Sequence, residues 1–273
     1  MPKAAEMTDE AILCERCGYA LAGIAPDARC PECGTPVRLS LPRARLGSAW
    51  QRAAGVRGWG RVSWEVLRGP TRVFREMRPR ADRRTWLLLW INIAIGGLLP
   101  GAMWLWVGPW VAGPGITAWY VRPSSVAPGT GTMVAWSELA VPRPPWVALG
   151  AVPLLVGALL ALTWIETVGV RFFGRRRAWR VTWPIALSVC AHASIGWAIG
   201  GALHALVPLM RTPLWWVLDR LPEAVASRGA LAFVTIAPVG ALLAGMLVFE
   251  TLVYLGVREC RYANTAERSP TMR

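Results

Sequence analysis

The chain has 273 residues, 54% of them hydrophobic, with a mean hydropathy of +0.38 and a formal net charge of +14. Several nearly charge-free runs long enough to cross a bilayer exclude an ordinary soluble domain and point to a small polytopic membrane protein. A sequence pI near 11.0 would fit a nucleic-acid binder, but the arginines lie between the apolar runs, where they set membrane orientation, so nucleic acid is not the expected partner.

The start, MPKAAEMTDEAILCERCG, has no apolar h-region and no small-residue cleavage site, so the N-terminus is expected to stay in the cytosol. Thiols there remain reduced, which favours metal binding over disulfides. Residues 11–38 carry two C-x-x-C pairs, Cys14/Cys17 and Cys30/Cys33. A two-residue spacer turns both sulfurs of a pair toward one ion, and zinc takes four thiolates in a tetrahedron. Gly18 and Gly34 follow the second cysteine of each pair, where glycine permits the left-handed turn that aims backbone N–H groups at sulfur. Pro31 stiffens the second knuckle. Ile12, Leu13, Tyr19, Leu21, Ile24 and Val37 are too few to fold the segment alone, so the metal must stabilise it. A structural zinc ribbon is the expected reading, with a redox pair as the alternative. Four cysteine ligands leave no open position for a substrate water. The ribbon's acids and arginines balance, so a protein partner is expected through it sooner than nucleic acid.

Residues 39–84 are crowded with arginine, among them Arg57, Arg61, Arg68, Arg72 and Arg75, against Glu65, Glu76 and Asp82. Trp64, Leu67, Phe74 and Met77 recur with roughly helical period around a break at Gly69-Pro70. Aromatics and arginines just before a membrane span predict a juxtamembrane interfacial helix on an anionic leaflet, each basic residue contributing about 1 kcal/mol. The alternative is a solvated linker.

Residues 85–256 predict four membrane spans at about 85–106, 147–168, 183–206 and 230–255, followed by a cytosolic tail at 257–273. The expected fold is mainly α, a four-helix transmembrane bundle with a small N-terminal zinc ribbon, whose partner is the lipid bilayer. The segments between spans alternate arginine-rich and arginine-poor: the N-terminal list, then Arg122 and Arg143, then Arg171, Arg175, Arg176, Arg177 and Arg180, then Arg211, Arg220 and Arg228, then Arg258, Arg261, Arg268 and Arg273. Four helices with both termini cytoplasmic satisfy that pattern. Trp86, Trp164, Trp179 and Trp183 fall at the inner interface, and Trp104, Trp106, Trp110, Trp146, Trp215 and Trp216 at the outer one. Asn92, Glu166, His192 and Glu250 are expected toward the cytoplasmic half of the spans, as one polar layer. Buried ionisable groups in a bilayer mark function by default, and the alternatives are a satisfied structural cluster or glutamates that snorkel to the interface. The runs WIETVGVR and VFETLVYLGVR share a short likeness compatible with a parallel repeat.

The segment CERCGYALAG through RCPECG resembles short zinc ribbons fused to membrane domains in uncharacterised bacterial proteins. The part from SWEVLRGPTRVFREM through the spans resembles the Yip superfamily of multi-pass membrane proteins, in which a P-x-x-x-F pattern, here Pro70 and Phe74, precedes the membrane helices. The resemblance implies an integral membrane protein of a trafficking-linked or uncharacterised family and, for a bacterial protein, the inner membrane. No catalytic residues carry over. The expected function is therefore a binding or scaffold role presenting a cytosolic zinc ribbon, with a small transporter or channel using the polar layer as the alternative. No catalytic constellation is present, so an enzyme is not expected.

Overall fold

The computed structural model describes residues 12–111, 145–207, 209–210 and 223–265. Residues 112–144, with Arg122 and Arg143, and Trp215, Trp216, Arg211, Arg220, Arg268 and Arg273 lie outside those residues, as do the side chains of Trp104, Trp106, Trp110, Trp146 and Arg228. The described chain is mainly helical. It contains no strand among the described residues, only two isolated antiparallel bridges, Leu13 with Ala20 and Arg29 with Pro36. Two short 3-10 turns, Val37–Ser40 and Pro42–Ala44, lead into helices α1 (Ala49–Arg52), α2 (Val56–Arg68) and α3 (Pro70–Glu76). The long helices follow: α4 (Arg83–Val111), α5 (Pro145–Arg176), α6 (Trp183–Ala193) continued by α7 (Ile195–Leu206), and α8 (Glu223–Cys260). Four helical stretches are long and apolar enough to cross a membrane: Arg83–Met103, Val152–Arg176, Trp183–Leu206 and Ile236–Cys260.

The chain divides into two compact units. One comprises residues 1–93, 160–196 and 246–273, and the other 94–159 and 197–245. In the first, helix α1 starts at a capping box: Ser48 Oγ accepts from Gln51 N at 3.3 Å, and Gln51 Oε1 accepts from Ser48 N at 3.0 Å. Helix α2 buries Gly58, Val62 and Val66, one stripe at four-residue spacing, and packs on α6. Gly69 ends it and Pro70 opens α3, as the missing proline N–H requires. Asp82 caps α4, with Oδ1 accepting from Thr85 N at 2.9 Å. Helix α6 is buried around its whole circumference, every side chain from Ile185 to Ala193 being enclosed, the polar Ser188 and His192 among them.

The interfacial reading of residues 64–77 divides at Gly69. Trp64 and Leu67 are 61% and 47% exposed, whereas Phe74 and Met77 are fully buried. The break re-aims α3 into the core, where a Cβ added at Gly256 of α8 would lie 2.9 Å from the Phe74 ring. Helix α5 also runs past the expected end at Val168 to Arg176, because arginine is a good helix former and the RFFGRR run needs no loop. Helix α8 is likewise longer than 230–255, and Ser194 interrupts the third stretch by returning its hydroxyl to Ala191 O at 2.8 Å. Only 17% of the most apolar window of Val152–Arg176 is buried, and 28% of that of Ile236–Cys260, so their apolar faces need a non-aqueous neighbour.

In the second unit, helix backbones touch at glycines. A Cβ at Gly201 would lie 2.6 Å from Gly96 Cα, and one at Gly200 would lie 3.1 Å from Gly245 Cα. Small residues permit this approach in apolar surroundings, where packing rather than water exclusion holds helices together. Gly201→Leu is expected to destabilise the chain by about 1–3 kcal/mol through overpacking. Thermal unfolding in detergent checks it, and an unchanged midpoint refutes the Gly96–Gly201 contact.

Candidate metal centre

The four-cysteine segment is built from two copies of one turn. In the first, Cys14 N donates to Tyr19 O at 2.8 Å and Gly18 N donates to Cys14 O at 2.8 Å. In the second, Cys30 N donates to Thr35 O at 2.8 Å and Gly34 N donates to Cys30 O at 2.9 Å. Gly18 and Gly34 have φ of 83° and 69°, the left-handed region that their place in the motif predicts. Leu21 N to Ile12 O and Val37 N to Ala28 O close the two turns, at 2.8 Å and 3.0 Å. Leu13, Leu21 and Val37 are buried around the cysteines, with Ile12 and Ile24 packed against them.

The four Sγ atoms lie within 4.8 Å of one another. Cys14 and Cys33 sulfurs are 3.5 Å apart, and Cys17 and Cys30 sulfurs 3.6 Å. A disulfide requires about 2.05 Å, so these are not bonded pairs, and all four cysteines are free. A tetrahedron of sulfurs about 2.3 Å from a metal has edges of about 3.8 Å, close to these separations. The donor set therefore fits one ion, and both zinc and iron accept four thiolates. Among the described residues this is the one group of three or more His, Cys, Asp or Glu side chains arranged for a metal. Thr35 sits beside Cys33, its Oγ1 3.2 Å from the sulfur, and its hydroxyl and backbone N–H bring that thiol down to about 6. Burial pushes the Cys17 thiol up, against a lowering hydrogen bond from the Tyr19 backbone.

The cysteine module is fastened to the rest of the first unit. Asn264, beyond the end of α8, bonds both backbone atoms of Leu13: Oδ1 accepts from Leu13 N at 3.0 Å and Nδ2 donates to Leu13 O at 2.8 Å. Nδ2 also donates to Ser40 O at 2.6 Å, and Asn264 N donates to Glu15 Oε1 at 3.1 Å. Arg180 donates to Asn264 Oδ1 and to Ala263 O. Arg45 pairs with Glu15 through Nε and Nη2, at 3.0 Å and 2.9 Å, with the Arg45 side chain 3% and that of Glu15 18% exposed. Arg45 Nη1 donates to Phe74 O at 2.9 Å and to Met77 O at 3.0 Å. A Cβ at Gly18 would lie 2.8 Å from the Tyr262 ring, so glycine there serves the approach as well as the turn. Sequence reasoning missed Glu15, Arg45, Arg180, Tyr262 and Asn264 in these roles, since no local pattern marks them.

Of the residues expected as a polar layer, Asn92 and His192 each have their own bonded partners, and Glu166 and Glu250 lie near each other. Asn92 is buried, accepting from Trp59 Nε1 at 2.8 Å and donating to Ser194 Oγ at 2.9 Å. His192 is buried too, with Nδ1 2.8 Å from Ser188 O and Nε2 2.9 Å from Ser48 Oγ. A carbonyl only accepts, so Nδ1 carries a proton. Glu166 is half-buried and Glu250 exposed, within electrostatic reach of each other.

Breaking the buried Glu15–Arg45 pair should be far costlier than breaking an exposed one. Arg45→Met is expected to destabilise by about 3 kcal/mol or more, because Glu15 and two carbonyls lose their donor. Removing Arg75, 68% exposed in its pair with Glu259, should lose less than about 1 kcal/mol. Denaturant titration of both variants measures the contrast. Cys14→Ser should abolish metal retention, read by elemental analysis of the purified chain, and should raise amide exchange at residues 260–264.

No family model, curated protein or solved structure matches the chain, so its functional reading rests on these residues.

Proposed function

We propose that this chain is an integral membrane protein carrying a closed structural zinc ribbon on the cytosolic side, with a binding or scaffold role and no catalytic activity of its own. The observation that carries the reading is the docking of the four-cysteine module on residues 260–264 through Asn264, Glu15 and Arg45. Four crossings return the chain to the side on which it began, and the bonds between Leu13 and Asn264 support that count. The arginine alternation supports the cytoplasm as that side. A four-thiolate donor set favours zinc as a structural ion. We extend the proposal to a Yip-like membrane domain on the Pro70–Phe74 pattern.

The bonds of Asn92 and His192 to Trp59, Ser194, Ser48 and Ser188 favour a packed scaffold over a transport path, because a conducting layer needs polar groups turned to water or substrate. The edge of the module around Leu13 and Glu15 is engaged, while Ala25, Pro26, Asp27, Pro31 and Glu32 stay exposed and offer the free face to a protein. The purified chain is expected to hold one zinc ion, to stay with membranes after carbonate washing, and to be active as a C-terminal fusion to a cytoplasm-dependent reporter. An inactive reporter would reverse the orientation. A set of cross-linked membrane partners unchanged by Asp27→Arg with Glu32→Arg would remove the docking role.

A further inference from the structure

Helix α2 has a second face that its packing does not use. Val62 and Val66 point into the first unit, and the opposite side carries Val56, Trp64 and Leu67, which are 86%, 61% and 47% exposed. Beside that apolar row runs a cationic one, Arg57, Arg61 and Arg68, all exposed. Both rows follow from helical spacing, since residues 57, 61, 64 and 68 recur every three or four positions. Glu65 is the sole acid in the helix, and Arg61 takes it at 2.8 Å. The Arg68 guanidinium stands 5.3 Å from the centroid of the Trp64 ring.

The position of α2 selects what covers this face. Trp59 Nε1 donates to Asn92 Oδ1 at 2.8 Å, which fixes α2 against α4. Asn92 lies about 13 Å along α4 from Arg83, at 1.5 Å per residue, inside a stretch long and apolar enough to cross a membrane. Trp59 thereby ties α2 to the first half of that stretch, on whose entering turns Leu87 and Trp90 are 45% and 47% exposed. A helix face that sets an apolar row beside guanidinium groups has the composition of an element at the boundary between acyl chains and headgroups. Guanidinium groups bind phosphate oxygens in a fork, and an indole sits well at the same depth.

We propose that the outer face of α2 binds anionic phospholipid, with Arg57, Arg61 and Arg68 on the headgroup phosphates and Val56, Trp64 and Leu67 in the upper acyl region. The inference rests on the membrane reading above, and the test separates the two.

The full chain is reconstituted into vesicles of phosphatidylcholine and phosphatidylglycerol, with bromine on the acyl chains of one lipid or the other. The readout is tryptophan quenching in the native chain minus that in Trp64→Phe, which isolates the Trp64 signal. Bromine on phosphatidylglycerol is expected to quench that signal several-fold more than bromine on phosphatidylcholine. Each Arg→Gln change at 57, 61 or 68 should lower the preference about fivefold. Single and triple variants are compared, with thermal unfolding as the control for folding. Equal quenching by the two lipids overturns the proposal. So does a Trp64 signal that neither lipid quenches, the outcome if the face stands in water and is kept for an acidic protein. In both cases a chain that still floats with the vesicles leaves the membrane reading standing, whereas a chain that fails to float overturns both.

Discussion

A guanidinium buried at 3% exposure has to find partners for its donors, and the way Arg45 does so organises the first unit. One edge of the fork holds the Glu15 carboxylate, next to Cys14 of the four-cysteine cluster. The other edge holds the carbonyls of Phe74 and Met77, at the C-terminal end of α3. Those carbonyls have no partner within their own helix, and a cation suits the negative end of the helix dipole. Arg45 thus caps α3 and anchors the cysteine module with one side chain, and Asn264 closes the arrangement from the far end of the sequence. A lysine could hold either group as a point charge but not the planar fork between them.

The segment between the module and the first long helix is part of the packing. Ser48 meets His192, Trp59 meets Asn92, and Arg80 N donates to Ser188 Oγ while that hydroxyl donates to Arg80 O, all near 2.9 Å. A polar group on a helix apolar enough for a membrane is costly unless it is bonded. Three such groups on α4 and α6 find their partners in residues 48–80. The polar positions within the apolar helices thereby specify where the preceding segment sits, a job that apolar contacts, being non-directional, do less well.

Local chemistry was legible in the sequence, and long-range pairing was not. The cysteine spacing and the two glycines predict turns whose hydrogen bonds close within five residues, and the structure has those turns. Hydropathy located the four long helices because length and apolarity are properties of a contiguous run. Helix ends were less legible: Arg175 and Arg176 read as a loop by charge, yet their propensity is helical and α5 includes them. Asn92 and His192 read as a shared layer because their depths along the helices agree. Depth says nothing about facing, and their partners lie at Trp59 and Ser48, out of reach of any pattern. Phe74 and Trp64 share a helical period on paper, but Gly69 and Pro70 part them into core and surface.

The contact between Leu13 and Asn264 spans 251 positions. Leu13 is made 251 positions ahead of Asn264, so the cysteine turns emerge long before the asparagine that clasps them. The four cysteines fall between residues 14 and 33, so their turns can close before the long apolar helices are made. Seating of the module on the rest of the unit must wait for Asn264, the residue that clasps it. A chain halted before that point keeps the cysteine turns but leaves Glu15 without its bond from Asn264 N.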